Sequence, residues 1–457
     1  MGGGLKRRDG NGGRRALRRL AAPLVVAAAS FGPLSIVTAQ SAQAFQAKAE
    51  AGELSGTVSE ARTRKRWDGR KEWGALGVKE RDRKPWFPEG IRFGNYIIMP
   101  TGEVETEFSD NVYATAKDRV ADFAVALEPS VRLISQFKRH QLNFTFGGRF
   151  VDYLNENELD EANAYAAMDG ALHIDHGHTI SMSLLSDYSH EAKLAVGDDT
   201  IAVRKTPVWH NKVALGITRD AGRLYGTLGA SYNGYNFDDV PGQSGASIEL
   251  DQNDTHIFAS DLQVSYRFSP GYNVTGVLRG MRTLKPTVED GYGSDNWGMD
   301  ALVGLNVESS RILHWSFLAG YGVRDFDDPE IETAGKSLFQ LGMRWIATQR
   351  ATIFATARRG FDFTKSEEGV LTTGVAVNLE LEALTNLIFT VSGAYQRTEL
   401  LKSDREDFRW SGGLNMTYLH SKHVHFTASY LYDLQGTSIS DDVVETNRIW
   451  FGVKFLY

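Results

Sequence analysis

The residues whose types could carry chemistry form two histidine groups. The first group is His173, Asp175, His176 and His178, and the second is His420, His423 and His425. Imidazole and carboxylate groups of this kind bind zinc or copper. However, side chains alternate between the two faces of a strand, so His173 and His176 fall on opposite faces, and both groups straddle short predicted turns. We therefore interpret them as polar turn residues and predict no metal site.

A hydrolytic site is also weakly indicated. A serine nucleophile needs a histidine aligned with it, and Ser181, Ser183 and Ser186 lie near His178 in the sequence. Serine is also common on the polar face of a strand, so this proximity has a simpler explanation. The chain contains no cysteine, which excludes a thiol enzyme, a disulfide scaffold and a zinc ribbon. We predict that the protein is not an enzyme and that it has no cofactor.

The element that must position any functional side chain is a strand with a two-residue period. From residue 448 to 457, one face carries Ile449, Phe451, Val453, Phe455 and Tyr457. The opposite face carries Arg448, Trp450, Gly452 and Lys454. The same alternation of an apolar with a polar, glycine-rich face recurs along the chain, which contains 46 glycines and 11% aromatic residues. The sequence thus predicts an all-β protein.

Short and long connections alternate between these strands. Short turns occur at 138–140, 219–222 and 269–272, for example, and longer acidic connections at 237–253 and 434–442. Strands of about ten residues with this alternation are typical of a transmembrane β-barrel, in which closure of the sheet satisfies every backbone hydrogen bond in lipid. We predict a closed antiparallel barrel of eighteen strands over residues 91–457, with sixteen strands as the alternative count.

The first ninety residues differ from the rest. A basic region precedes an apolar run from Leu20 to Ala39, and small residues follow at the spacing of a cleavage site, which predicts a signal peptide over residues 1–44. Cleavage after Ala44 or after Ala39 fits. Residues 45–90 show no persistent period and are predicted to be a mobile periplasmic linker. Removal of residues 1–44 leaves 43 basic and 56 acidic residues, a net charge of -13. A nucleic-acid partner is therefore not expected, because a surface that binds nucleic acid is basic.

The aromatic end of the chain supports export to the outer membrane. The segment Phe451–Tyr457 resembles the terminal signature of bacterial outer-membrane proteins, which implies recognition of the strand ending in Tyr457 by the barrel-assembly machinery.

A longer segment at the start of the barrel resembles the Putative beta-barrel porin 2 family of Gram-negative bacteria. The matching features are an arginine-rich stretch from residue 78, the step Gly90-Ile91-Arg92, then Pro100, then Asp110-Asn111. The aspartate-proline pair usual before the glycine is replaced here by Trp86-Phe87-Pro88-Glu89. The resemblance implies an outer-membrane porin for export of exopolysaccharide, working with a periplasmic polysaccharide-export protein. A general or nutrient diffusion porin is the alternative, and an outer-membrane hydrolase is the second alternative.

The functional surface of such a barrel is its lumen, where charges of both signs are expected. The outer face contacts outer-membrane lipid and the inner face contacts the polysaccharide. The candidate pore-lining residues are Arg132, Arg149, Lys212, Arg267, Arg324, Arg344, Arg409, Arg448, Lys454, Asp122, Glu128, Asp169, Asp261, Asp300, Glu308 and Glu380.

Overall fold

The structure is a computed structural model, and it describes most of the chain after residue 75. The described residues are 76–81, 83–191, 204–242, 247–285, 295–308, 310–328, 331–362 and 369–457. The predicted signal peptide, residues 1–44, and residues 45–75 of the predicted linker lie outside the described residues.

Eighteen antiparallel strands close into one barrel, which confirms the predicted fold class and count. They are β1 (Tyr96–Ser109), β2 (Asp122–Ser135), β3 (Gln141–Tyr153), β4 (Glu161–His173), β5 (His178–Glu191), β6 (Thr206–Ala221), β7 (Leu224–Phe237), β8 (Thr255–Ser269), β9 (Tyr272–Leu284), β10 (Asn296–Val307), β11 (Leu313–Phe326), β12 (Ala334–Thr348), β13 (Ala351–Asp362), β14 (Val370–Leu384), β15 (Leu387–Leu400), β16 (Glu406–Leu419), β17 (Val424–Thr437) and β18 (Ser440–Leu456). Each strand pairs with its neighbours in sequence. The alternative count of sixteen is excluded.

The barrel closes where β1 meets β18. The two strands pair from Thr101 opposite Leu456 to Ser109 opposite Arg448, while the other edge of β1 pairs with β2. The N–H of Tyr457 extends this closure by donating to the carbonyl of Pro100 at 3.2 Å. No strand edge is left unpaired along this ladder, and this satisfies the requirement that lipid imposes on a spanning sheet.

The outward positions of the strands carry the large apolar side chains. Phe123 on β2, Val303 on β10 and Phe451 on β18 are 54%, 60% and 61% exposed. Exposed apolar side chains at alternate positions of successive strands form the lipid-facing band of a membrane barrel. Among the described residues, no helix is long and apolar enough to cross a membrane.

Most of the short turns lie at the end of the barrel where β1 begins and β18 ends. Two of them use glycine at a positive φ, Gly222 (φ 80°) between β6 and β7 and Gly271 (φ 76°) between β8 and β9, a conformation that glycine adopts at no steric cost. Short turns face the periplasm in barrels of this class. We therefore call this end the periplasmic mouth. A tight turn at residues 438–439, between β17 and β18, lies at the opposite end, where the sequence predicts a long connection over 434–442.

One pair of glycines permits a close approach of β10 and β11. A Cβ atom added to Gly304 would lie 1.8 Å from the carbonyl oxygen of Phe317, and one added to Gly320 would lie 1.8 Å from that of Ala301. Since backbone cannot move aside without disturbing the ladder, we predict that Gly304→Ala lowers the free energy of unfolding by about 1–3 kcal/mol. The measurement is urea unfolding in lipid vesicles. Gly276→Ala on β9 is the control because nothing lies within 4 Å of its Cβ position; equal unfolding midpoints for the two variants would contradict the prediction.

Candidate functional site: the lumen wall

The inward positions of the strands carry almost all of the predicted pore-lining residues. Strand alternation and the cross-strand registers place on this face Asp122, Glu128 and Arg132 of β2, Arg149 of β3, Asp169 of β4, Lys212 of β6, Asp261 and Arg267 of β8, Asp300 of β10, Arg324 of β11, Arg344 of β12, Glu380 of β14, Arg409 of β16, and Arg448 and Lys454 of β18. That these residues contact a passing solute stays a prediction.

Glu308 is placed differently from the prediction. It follows the last residue of β10, Val307, and it lies exposed in a short turn, where its N–H donates to the carbonyl of Gly271 at 2.7 Å. The strand is one residue shorter than the alternating pattern indicated. Glu308 therefore lies at the periplasmic mouth and not on the wall.

A dense charge cluster surrounds Arg149. Its Nε lies 2.5 Å from Glu128, and its Nη2 lies 3.4 Å from Glu107 and 3.7 Å from Glu105. The Lys454 ammonium neutralises a fourth carboxylate, Glu103, at 3.1 Å. A guanidinium has five donors and can serve several carboxylates at once. We call Arg149 with Glu105, Glu107 and Glu128 the Arg149 cluster.

In two further ion pairs on the wall, an arginine guanidinium makes two hydrogen bonds to one aspartate carboxylate. Arg324 reaches Asp300 at 2.7 and 3.1 Å, and its guanidinium lies 4.3 Å from the centre of the Phe361 ring. Arg409 reaches Asp433 at 2.7 and 2.9 Å. Such pairs hold both partners in a fixed position and cancel their charges locally.

Two arginines on the wall differ from these. Within the described part of the chain, neither Arg132 nor Arg448 forms an ion pair within 4.0 Å, and the Nε of each lacks a hydrogen-bond partner. These two guanidinium groups are therefore not neutralised by a close carboxylate.

Some wall residues were missed by the sequence analysis. Glu103, Glu105 and Glu107 alternate along β1 and all face inward, and Arg279 of β9 lies 4.0 Å from Asp261. The alternating glutamates were a visible signal, because three charges at every second position occupy one face of a strand. The signal in β9 was weaker since Arg279 and Arg282 lie on opposite faces.

On the wall between β6 and β10, hydroxyl and amide groups lie among the charged residues named above. The hydroxyls of Thr218 and Thr227 lie 3.0 Å apart, and those of Ser265 and Thr275 lie 2.8 Å apart. The amide of Asn306 donates to the Thr275 hydroxyl at 2.7 Å. These groups both donate and accept, so they can form hydrogen bonds with uncharged hydrophilic solutes.

The segment before the barrel lies inside the periplasmic mouth. We call residues 77–81 and 83–87 the periplasmic strap. It contacts inward-facing residues of several strands, among them Thr352 of β13, Glu382 of β14 and His425 of β17. The sequence predicts a mobile linker over residues 45–90. Within it, residues 77–81 and 83–87 have defined contacts with the wall. The mobility of the linker stays a prediction.

Long connections fold over the opposite mouth. Leu159 packs against Ala124 and Ala126 of β2, and Val240 and Leu250 pack against the inward face of β6 and β7. These apolar contacts hold loop segments against the inner wall, so they narrow the extracellular side of the lumen.

A buried ion pair fixes the start of β6 beside β4. The Lys205 ammonium contacts the Glu161 carboxylate and lies 3.1 Å from the Tyr153 hydroxyl. Burial alone lowers the pKa of Lys205, but the charge of Glu161 outweighs it and raises that pKa above its ordinary value.

The histidine groups of the sequence analysis are structural. Asp175 accepts hydrogen bonds from the N–H of Gly177 at 2.7 Å and of His178 at 2.8 Å, and the His178 ring lies 2.9 Å from it. The Gly177 hydrogen bond, with the contribution of His178, lowers the pKa of Asp175 to about 2. In the second group, His423 contacts the carbonyl of Leu456, and His425 contacts the strap. Over the described residues, no three histidine, aspartate or glutamate side chains converge in a way that could hold a metal ion.

The chain matches the family described as Putative beta-barrel porin 2 over residues 84–457, which covers the whole barrel. The protein belongs to this family. It is an outer-membrane β-barrel porin of a Gram-negative bacterium, with the channel-like architecture described above. The match also confirms the resemblance found in the segment around Gly90 and Pro100.

Solved structures with a similar arrangement share little sequence with this porin. It is similar to OccK1 (OpdK) from Pseudomonas aeruginosa, with 10% identity, 79% of this chain and 99% of that chain covered, and a TM-score of 0.43. It is also similar to the siderophore receptor PiuA from Acinetobacter baumannii, with 9% identity, 81% and 82% covered, and a TM-score of 0.43. No curated protein matches the chain.

Proposed function

We propose that this porin forms a water-filled channel through which a hydrophilic polymer, an exopolysaccharide, leaves the cell. The observation that carries the proposal is the pairing of charges on the lumen wall. Arg324 with Asp300, Arg409 with Asp433 and the Arg149 cluster place cations beside anions at short distances. A wall with paired charges offers little field to select ions of one sign, so it is suited to a solute recognised by hydrogen bonds.

The width of the barrel supports passage of a large solute. Small barrels of about eight strands are filled by their own side chains, whereas barrels of 16–18 strands leave an aqueous channel. The hydroxyl and amide groups between β6 and β10 add a surface on which sugar hydroxyls could exchange hydrogen bonds. A periplasmic polysaccharide-export protein would deliver the polymer to the periplasmic mouth, and no catalytic group on the wall is required for this role.

A general or nutrient diffusion porin is the second candidate, since the same paired wall would pass small neutral solutes. The size of the largest solute that passes distinguishes the export porin from the diffusion porin. We expect purified protein in vesicles to release an enclosed fluorescent neutral polysaccharide as well as small sugars. Release of small sugars with full retention of the polymer would favour the diffusion porin and contradict export.

A deletion in the native host tests the cellular role. We expect loss of this porin to lower the amount of secreted exopolysaccharide, with restoration by the gene supplied in trans. Unchanged secretion in the deletion strain would contradict the export proposal while leaving the channel itself intact.

A further inference from the structure

The periplasmic strap crosses the inner wall of the mouth from β13 to β17. At one end, the N–H of Val78 donates to the Thr352 hydroxyl at 2.9 Å, and the N–H of Lys79 donates to Glu380 at 3.3 Å. At the other end, the carbonyl of Trp86 lies 2.8 Å from Nε2 of His425. The strap therefore occupies lumen space along the strands β13 to β17 at the periplasmic mouth.

Ion pairs hold the middle of the strap. Glu382 accepts from both Arg81 and Arg83, each at 2.9 Å, and the side chains of Arg83 and Glu382 are only 6% and 8% exposed. A second pair of opposite sign joins Glu80 of the strap to Arg344 of β12. The strap thus presents an acid to a wall arginine and two arginines to a wall glutamate, and these opposite charges favour one docked position.

The strap is attached in a different way from the strands beside it. The next residues, Ile91–Phe93, form a regular ladder with Tyr96–Ile98 of β1 and are part of the sheet. The strap makes no ladder: each of its described hydrogen bonds with the wall has a side chain as at least one partner, and Val78 is its buried apolar residue. The Arg81 and Glu80 side chains, 25% and 22% exposed, are open to water, so water and salt ions compete for their ion pairs more readily than for the backbone ladder of the sheet.

We propose that the periplasmic strap is a gate: docked on Glu382, Arg344 and His425 it narrows the periplasmic mouth, and released from them it leaves the mouth open. The proposal concerns any solute of the channel and goes beyond the identity of the exported polymer. Release breaks only hydrogen bonds and ion pairs outside the strand ladders, so the barrel itself stays closed and folded.

A reversible cross-link tests the gate directly. The natural chain has no cysteine, so an engineered pair forms a single defined disulfide. A Cβ atom at position 77 would lie 3.2 Å from the side-chain atoms of Thr352, within reach of disulfide geometry. We expect the double variant Gly77→Cys, Thr352→Cys to show only a low-conductance level in planar bilayers when oxidised. After reduction we expect a higher conductance level to appear. The conductance of each single variant should be the same with and without the reductant.

A charge substitution gives an independent readout. Glu382→Gln removes the carboxylate that holds Arg81 and Arg83, so we expect it to spend more time at the higher level than the natural protein. Asp261→Asn is the matched control, since Asp261 faces the lumen on β8 and its described ion pair is with Arg279 of the wall.

Equal conductance of the oxidised and reduced double variant, with Glu382→Gln indistinguishable from Asp261→Asn, would overturn the gate and leave the channel standing. Absence of conductance in every folded variant and in the natural protein would instead overturn the channel.

Discussion

Phe451→Arg is expected to block assembly of the barrel. Phe451 lies on the outward face of β18, the strand that closes the barrel with β1, and it is 61% exposed. An arginine on the lipid face costs about 2–4 kcal/mol near the midplane. We expect the variant to lose the compact, heat-modifiable form on gels and to be degraded in cells.

Ser411→Arg provides the matched control. Ser411 lies on β16 opposite Asp433 of β17, on inward-facing positions, so the added guanidinium would enter the aqueous lumen beside a carboxylate. We expect this variant to assemble as the natural protein does. Equal loss of assembly in both variants would show that the inward and outward faces have been assigned wrongly.

Arg149→Met is expected to destabilise the barrel strongly. The substitution keeps the length of the side chain but leaves Glu105, Glu107 and Glu128 without their shared cation. Removing one partner of a buried ion pair typically costs about 3–5 kcal/mol, because the remaining charge is poorly solvated. Since the Arg149 side chain is 20% exposed, we expect the lower end of that range, about 3 kcal/mol, in the free energy of unfolding measured with urea.

Two further variants make this prediction specific. Arg279→Met removes an arginine of the wall whose carboxylate partner, Asp261, lies at 4.0 Å, and we expect a loss of about 1 kcal/mol or less. Adding Glu128→Gln to Arg149→Met should recover part of the lost stability, because one repelling carboxylate is removed. If Arg149→Met and Arg279→Met unfold at the same urea concentration, the Arg149 cluster does not stabilise the barrel as described.

The fold could be predicted because the two-residue period is a local property. In β18, Arg448 and Lys454 face inward and Phe451 and Phe455 face outward, as the alternation of the sequence indicates. Closure followed from the same pattern, since a spanning sheet with unpaired edges is unstable in lipid.

The two-residue period does not predict the burial of every residue near the strand ends. Leu371 alternates with Val375 on the apolar face in the sequence, yet it is fully buried against Leu302 and Phe361. Phe361, at the end of β13, is buried as well, and its carbonyl accepts a hydrogen bond from the Arg358 guanidinium at 3.2 Å. This deviation depends on contacts among β10, β12, β13 and β14, which no local pattern contains.

The sequence predicted which residues line the lumen wall, but it did not predict which of them contact each other. The sequence placed Arg149 and Glu128 on the wall, but their contact depends on the register between β2 and β3, and the approach of Glu105 and Glu107 depends on the pairing of β1 with β2. The docking of the strap was not predictable from the sequence. Arg81 and Arg83 lie about 300 residues before Glu382, and they contact it only when the barrel is closed.

Conductance of the purified protein in planar bilayers measures whether the barrel encloses an open aqueous path with a largely neutralised wall. We expect stable current steps, proportional to voltage, with weak preference between cations and anions under a salt gradient. Absence of stable steps from folded, heat-modifiable protein would contradict this expectation.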